Sequence, residues 1–367
     1  MTLCFLLAKD PTSEDVGDTA MMNQLLKLVR ADHDVSIICW SRRPELGNAD
    51  GIVRLPKPAV SPVRVAARAV RRGRSLVHAR YDDPALRKAI EACDADAFVA
   101  VHHYLAEAFL RSSRRAAPLY VVNVVPESPV WRETRGWLGR VQARAIERDE
   151  ARVTRHATSV GSYDKADAAG GADAGARRSV WLELTLPPQP AMDVRSTPPR
   201  LAVLGDRTWA PNEQAWQRTL ALWPEISAGV PDAELVAIGH PCGTSESSQR
   251  DLPDGITDLG FVDDLRAALA GCRAMAAPLD VGGGVRVKLL EAASVGLPVV
   301  ATSAATGSLT ELLGIEPVDD DVSFVTTCRR LLTAPEFAAS QGARLHAANV
   351  AHWESGRPRA TVRTWLA

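Results

Sequence analysis

Between positions 277 and 311 the chain reads APLDVGGGVRVKLLEAASVGLPVVATSAATGSLTE. Gly282, Gly283 and Gly284 lack a Cβ, so the backbone there can come close to a ligand. The apolar spacing that follows predicts a helix over 285–295, stopped by Gly296 and Pro298. A glycine loop that opens a helix is an anion site. The first helical amides have no internal partner, and the N-terminus carries partial positive charge. Arg286 and Lys288 add two formal charges in the same turn. That suits a diphosphate, above all one that gains charge as it leaves. Glu291, one turn past Lys288, can accept hydrogen bonds from a ribose diol. The alternative is an ordinary glycine turn with solvated cations and a Glu291–Lys288 pair at helical spacing.

The stretch resembles the donor-binding segment of retaining glycosyltransferases of family 4, which have the GT-B fold. Members carry Glu, seven residues, Glu-Ala, then Gly-Leu-Pro-Val-Val-Ala-Thr. Glu291-Ala292 and positions 296–302 match, whereas Gly283 stands where the first glutamate would be. An exopolysaccharide-type subgroup of sugar transferases has a similar Gly-Gly-Gly-Val-Arg-x-Lys-Leu-Leu-Glu-Ala run. The resemblance implies an α/β GT-B architecture, two Rossmann-like domains facing a central cleft. It places a nucleotide-sugar donor on Gly282, Gly283, Gly284, Val285 and Glu291, with Arg286 and Lys288 as the catalytic cations.

The elements that must carry this site alternate as parallel α/β units do. Positions 3–8 predict a strand, 19–31 a helix and 35–40 a second strand. Gly17-Asp18 falls where that helix starts. In the subgroup a similar glycine loop meets acceptor or donor phosphate, so both count as acceptor-binding candidates; a plain helix start capped by Asp18 is the alternative. Further strands are expected at 97–101, 119–125 and 157–162, with a long charged helix over 136–153. His102 and His103 follow the 97–101 strand, at the end where open α/β sheets place ligands. The family has a histidine near there that reaches the transferred sugar; His103 or His102 could serve, with His103 taken as the catalytic candidate and His102 as an acceptor contact, and a histidine merely satisfied at a strand end is the alternative.

In the second half, strands are expected at 201–205, 234–239 and 256–262, and a helix over 211–223. The family grips the diphosphate with a glycine after the first of these strands and an Arg and a Lys beyond it. Gly205 matches, Arg207 stands near the arginine position, and Asn212-Glu213 occupy the lysine region. Phe261 and Val262 end the third strand, where the family's backbone pairs with the nucleotide base. Five prolines in 186–200 mark a connector. The expected organisation is an acceptor domain over 1–185, a linker over 186–200, a donor domain over 201–350, and a tail over 351–367 that crosses back to the first domain.

Composition narrows the class. A chain of 367 residues supports two cores, and 46% hydrophobic residues at a net charge of −1 fit a folded protein with no global affinity for nucleic acid. The six cysteines are scattered, without C-x-x-C spacing, which fits a reducing compartment. The acids at 94, 96 and 319–321 read as turn and cap residues, so no metal and no cofactor is expected; the nucleotide sugar is a substrate. No secretion signal or membrane-length apolar run is present. A cytoplasmic location is expected. Residues 61–80 leave open a peripheral contact at the inner membrane face. They set Arg64, Arg68, Arg71 and Arg72 near one helical face and Val63, Ala66, Ala67 and Val70 on the other, which fits either anionic lipid or a solvated arginine face.

The expected activity is metal-independent transfer of a sugar, from a UDP-sugar first of all, to the hydroxyl of a sugar, lipid-linked or small-molecule acceptor, in polysaccharide or secondary-metabolite biosynthesis. Retention would follow from attack on the face the leaving group departs from. Two alternatives stand beside it. A nucleotide-sugar epimerase of the same fold would need acid–base carboxylates. A catalytically silent nucleotide-sugar-binding partner of another transferase would need only the binding residues.

Overall fold

Alternating strands and helices build two separate parallel sheets. The computed structural model describes residues 1–13, 17–48, 51–57, 61–242 and 252–367. Unit 1 comprises Met1–Leu184 together with Pro358–Ala367, and unit 2 comprises Thr185–Arg357.

In unit 1 the strands are β1 (Thr2–Leu7), β2 (Asp34–Ser41), β3 (Ile52–Pro56), β4 (Ala97–Val101), β5 (Leu119–Asn123), β6 (Ser159–Ser162) and β7 (Ser179–Trp181). Their order is β3-β2-β1-β4-β5-β6-β7, all parallel. Unit 2 contains β8 (Arg200–Leu204), β9 (Glu234–Ile238), β10 (Ile256–Asp258), β11 (Ala274–Ala277) and β12 (Val299–Ala301), in the order β10-β9-β8-β11-β12, again all parallel. The central strands β1, β4, β5 and β11 are buried almost throughout. That is why they read as unbroken apolar runs rather than alternating ones. Strand order reverses between β1 and β4 and again between β8 and β11. Ligands of open α/β sheets sit outside the carboxyl ends of strands at such switch points. In unit 2 those ends lead into Gly205 and the 278–286 loop; in unit 1 the end of β4 leads into His102.

Several elements differ from the sequence expectations. β3 and β7 were not anticipated. The 61–80 stretch forms two helices, Pro62–Arg72 and Leu76–Tyr81, because Gly73 takes a left-handed conformation (φ 61°) and ends the first. The strand expected over 256–262 stops at Asp258, and Gly260 turns the chain at φ 63°. The proline-rich 186–200 segment is docked on unit 2. Gln189 N donates to Ser294 O (2.9 Å), Met192 N to Val295 O (2.8 Å) and Asn349 Nδ2 to Leu186 O (3.1 Å).

The helix Arg357–Leu366 completes unit 1. Arg359 and Arg363 both pair with Asp32, at 2.7 and 2.8 Å. Their hydrogen bonds, Arg363's above all, hold the Asp32 carboxyl well below the usual carboxylate range. Trp365 is fully buried, edge-on to the Tyr120 ring at 5.9 Å and close over Gly161. The Tyr120 hydroxyl donates to Leu366 O (3.1 Å). Truncating a buried tryptophan removes about 3–5 kcal/mol. Trp365→Ala is therefore expected to strip hydrogen-exchange protection from β5 and β6 while leaving β8 and β11 protected.

Candidate active site

The glycine loop of unit 2 is anchored at its entry. Thr302 Oγ1 donates to Leu279 O (2.6 Å), and Arg218 Nη1 to Asp280 Oδ1 (2.8 Å) while its Nη2 holds Asp321 (2.7 Å). Each of the three glycines has its own reason to be there. A Cβ on Gly282 would collide with the Ala304 carbonyl. Gly283 and Gly284 stand at φ 143° and 65°, in the region open mainly to glycine. A glutamate at 283 would be strained, so the departure from the family pattern is set by the backbone.

The helix that follows runs from Val287 to Val295, two residues shorter than expected. Arg286 is its N-cap, and Arg286 O accepts from Leu289 N (3.0 Å) and Leu290 N (3.2 Å). Val285 consequently belongs to the loop. Glu291 lies about 6 Å along the axis from the first helical residue. The Arg286 guanidinium donates to Gly284 O (2.6 Å) and rests on Gly307, where it fills the space a Cβ would need. It braces the loop as well as charging it.

Lys288 and Glu291 do not pair. Lys288 Nζ donates to Asn212 Oδ1 (2.7 Å), and burial lowers its pKa to about 8. Asn212 Nδ2 in turn donates to Asp206 O (2.9 Å), and its amide packs on Gly205, where a Cβ would stand 2.7 Å from it. The half-buried Glu291 carboxylate has no hydrogen-bond partner among the described residues, and burial raises its pKa.

Next to this loop the ends of β8, β9 and β10 are laced by backbone bonds. Gly205 N donates to Ile238 O (2.9 Å), Gly239 N to Gly260 O (2.7 Å) and Arg207 N to His240 O (2.8 Å). Arg207 is not an outward cation. Its side chain is 6% exposed, pairs with Asp258 Oδ2 at 2.5 Å and lies over the Trp216 ring at 5.4 Å. Arg207, expected on the diphosphate, is paired inside unit 2. Phe261 is exposed and stacks on His240 at 4.7 Å, with half-buried Val262 beside it.

In unit 1, Gly17 opens the helix Gly17–Arg30. The Asp18 side chain and residues 14–16 lie outside the described residues. His102 adopts φ 80°, unusual for a residue with a Cβ, and stacks on Tyr104 at 4.8 Å. That twist turns His103 inward, onto Thr154 Oγ1 (3.1 Å). Burial first, then the charges of His78 and His102, depress its pKa to about 3. His103, expected to reach the sugar, is a buried ring here, and His102 beside it is half-buried.

Sequence reasoning missed most of the supporting polar residues. Asn212 was legible only as a missing lysine; the signal was an amide in the first turn of a helix opened by Pro211. Unit 1 also contains a buried network. His78 Nδ1 meets Glu107 Oε1 at 2.7 Å, Arg152 and Arg74 pair with the same carboxylate, and Asp149 accepts from Ser75 N (2.7 Å). Glu150 accepts from Glu127 N (3.2 Å), and burial raises its pKa to about 8. A glutamate within the apolar run Ala106–Leu110 was the one hint of it.

The acids at 319–321 are all engaged. Asp319 accepts from Ser303 N (2.7 Å), Asp320 caps the helix Asp321–Thr333, and Asp321 holds Arg218.

Two parallel sheets of these strand orders define the GT-B fold. Within it, residues 198–334 match the family model described as glycosyl transferases group 1. Among solved structures the chain is similar to sucrose-phosphate synthase from Thermosynechococcus elongatus (14% identity, 100% of this chain and 98% of that one, TM-score 0.73). It is also similar to WaaG, a glycosyltransferase involved in lipopolysaccharide biosynthesis (12%, 99% of each chain, 0.66). A third is HepE from Anabaena, in complex with UDP and glucose (13%, 99% and 98%, 0.65). No curated protein matches the chain in sequence.

The lowered pKa of Lys288 has a signed consequence. Between pH 8 and the unfolded value near 10.5 the unfolded chain holds a proton that the folded one has released. Stability contributed by this group must then rise with pH across that window. Denaturant titrations at pH 8 and pH 10 should show the rise in wild type relative to Lys288→Met, which lacks it.

Proposed function

We propose that the protein transfers a sugar from a nucleotide sugar to an acceptor hydroxyl, with the donor held by unit 2. The observation that carries this is the arrangement around Lys288. A half-buried lysine, its ammonium held by a neutral amide, Asn212, stands in the first turn of a helix opened by three glycines, with Arg286 at its cap. Such a site lacks one thing, an anion. A departing nucleoside diphosphate supplies it, and its growing negative charge is stabilised by donors already fixed in place. The match to glycosyl transferases group 1 covers these residues. UDP is the leading nucleotide, since HepE has been solved with UDP and with UDP-glucose.

The chemistry follows from what surrounds the loop. Gly283 offers no carboxylate to form a covalent sugar intermediate. We therefore assign attack on the face from which the diphosphate departs, with a phosphate oxygen taking the acceptor's proton and the anomeric configuration retained. The cationic side chains and helix terminus fill the role of a divalent ion. In unit 1, His102 rather than His103 is the ring available to substrate, and the acceptor is the hydroxyl of a sugar, a lipid-linked sugar or a small molecule.

A panel of nucleotide sugars, assayed for hydrolysis and transfer with EDTA present and with product anomers read by NMR, tests the reading. One donor should be turned over, without metal and with retention. Arg286→Ala should lose about 2–4 kcal/mol of transition-state stabilisation, mainly in kcat. Binding without turnover across the panel would instead favour a silent partner, and recovery of an epimerised donor would favour an epimerase.

The open Glu291 carboxylate suits a ribose diol. Glu291→Ala should weaken UDP binding by about 1–3 kcal/mol, and Glu291→Gln by less. Calorimetry with the 2′-deoxy nucleotide closes the cycle. Losses that simply add would show that Glu291 does not touch the ribose.

A further inference from the structure

The helix Pro62–Arg72 faces the opposite way from its apparent amphipathicity. Arg68 points inward and donates to Ala79 O (3.1 Å) and Asp82 O (2.8 Å), and Arg72 leans on Asp82 at 3.5 Å. The apolar stripe faces solvent. Val63 and Val70 are 78% and 85% exposed, and Ala66 and Ala67 between them are exposed as well. Positions 63, 66, 67 and 70 follow the spacing of one helical face. Arg64 and Arg71 border that face in solvent.

A second helix continues the pattern. In Gly136–His156, Trp137 is 76% exposed, and Leu138 and Val141 are also in solvent. Arg140, Arg144 and Arg148 are exposed beside them. The second helix touches the chain just past the first, where Arg148 Nη2 donates to Gly73 O (3.0 Å) and Gln142 Oε1 accepts from Leu76 N (2.9 Å) at the start of the helix Leu76–Tyr81. Five of the ten exposed large apolar side chains among the described residues lie on these two helices. Neither 61–80 nor 136–146 contains a single acid.

Exposed apolar side chains bordered mainly by arginines, with Glu147 the exposed acid between Arg144 and Arg148, fit one kind of partner. The geometry points to a docking surface for an anionic lipid bilayer, formed by Val63, Val70, Trp137, Leu138 and Val141 with the exposed arginines beside them. Trp137 supplies the interfacial aromatic anchor, the valines and leucine enter the headgroup–acyl boundary, and the guanidinium groups meet lipid phosphate. A second copy of the chain would meet arginine with arginine, so the charge favours lipid. Among the described residues no helix is long and apolar enough to cross a membrane, so this contact lies on the surface of the bilayer. The inference is independent of the proposed activity and is tested without it.

The test is co-sedimentation of the full chain with vesicles of phosphatidylcholine alone and with vesicles that also contain phosphatidylglycerol. Binding to the anionic vesicles should be at least about tenfold tighter and should fall steeply with added salt. Trp137→Glu should weaken it by about tenfold or more, as should the double change Arg140→Glu and Arg144→Glu. Val322→Glu, an equally exposed valine on unit 2, should leave it unchanged. All four side chains are exposed, and matching melting curves would confirm intact folds. Equal binding to both vesicle types, or full binding by Trp137→Glu, would overturn the proposal. So would a dimer in sedimentation velocity that Trp137→Glu abolishes, because a second copy would then be what covers the face.

Discussion

The candidate site of unit 2 depends on one primary amide. Asn212 donates to the Asp206 carbonyl and accepts from Lys288, and it can do both because an amide carries donor and acceptor on one carbon. A carboxylate there would neutralise the lysine, and a second lysine would repel it. The amide fixes the ammonium without cancelling its charge, and burial then makes that charge costly enough to bring the pKa to about 8. Arg207 is treated differently one loop away, where it is paired with a carboxylate, Asp258. Arg207 is thus held by a carboxylate, whereas Lys288 is held by a neutral amide.

Backbone geometry imposes a second constraint. The 282–284 loop must pass the Ala304 carbonyl and then make two turns that a Cβ would resist. This accounts for the glycine at 283 without reference to sugar chemistry. The switch points of the two sheets put both candidate regions at strand carboxyl ends, so topology selects where chemistry can occur before any side chain is considered.

The central strands were legible because burial on both faces writes itself as a continuous apolar run. β3 was not, since Arg54 within it pairs with the buried Asp10 at 2.7 Å, and sequence periodicity cannot see that pairing. The glycine loop before a helix was legible, but the helix start was not, because a cap residue is defined by its dihedrals and not by its type. The histidine doublet was unreadable for the same reason: a positive φ at His102 decides which ring turns inward. In the 62–72 helix, periodicity gave the two faces but not their direction. That was settled by carbonyls at Ala79 and Asp82, which are themselves positioned by tertiary structure.

The return of residues 358–366 to unit 1 has a consequence for biogenesis. Trp365 covers Tyr120 and Gly161, yet the whole of unit 2 is translated between β7 and that tryptophan. At ordinary elongation rates the interval is roughly ten to thirty seconds. During it the β5–β6 flank lacks the cover that Trp365 gives it in the finished structure. The unit made first is thus closed only after unit 2 has been made, because the helix Arg357–Leu366 follows unit 2 in the chain.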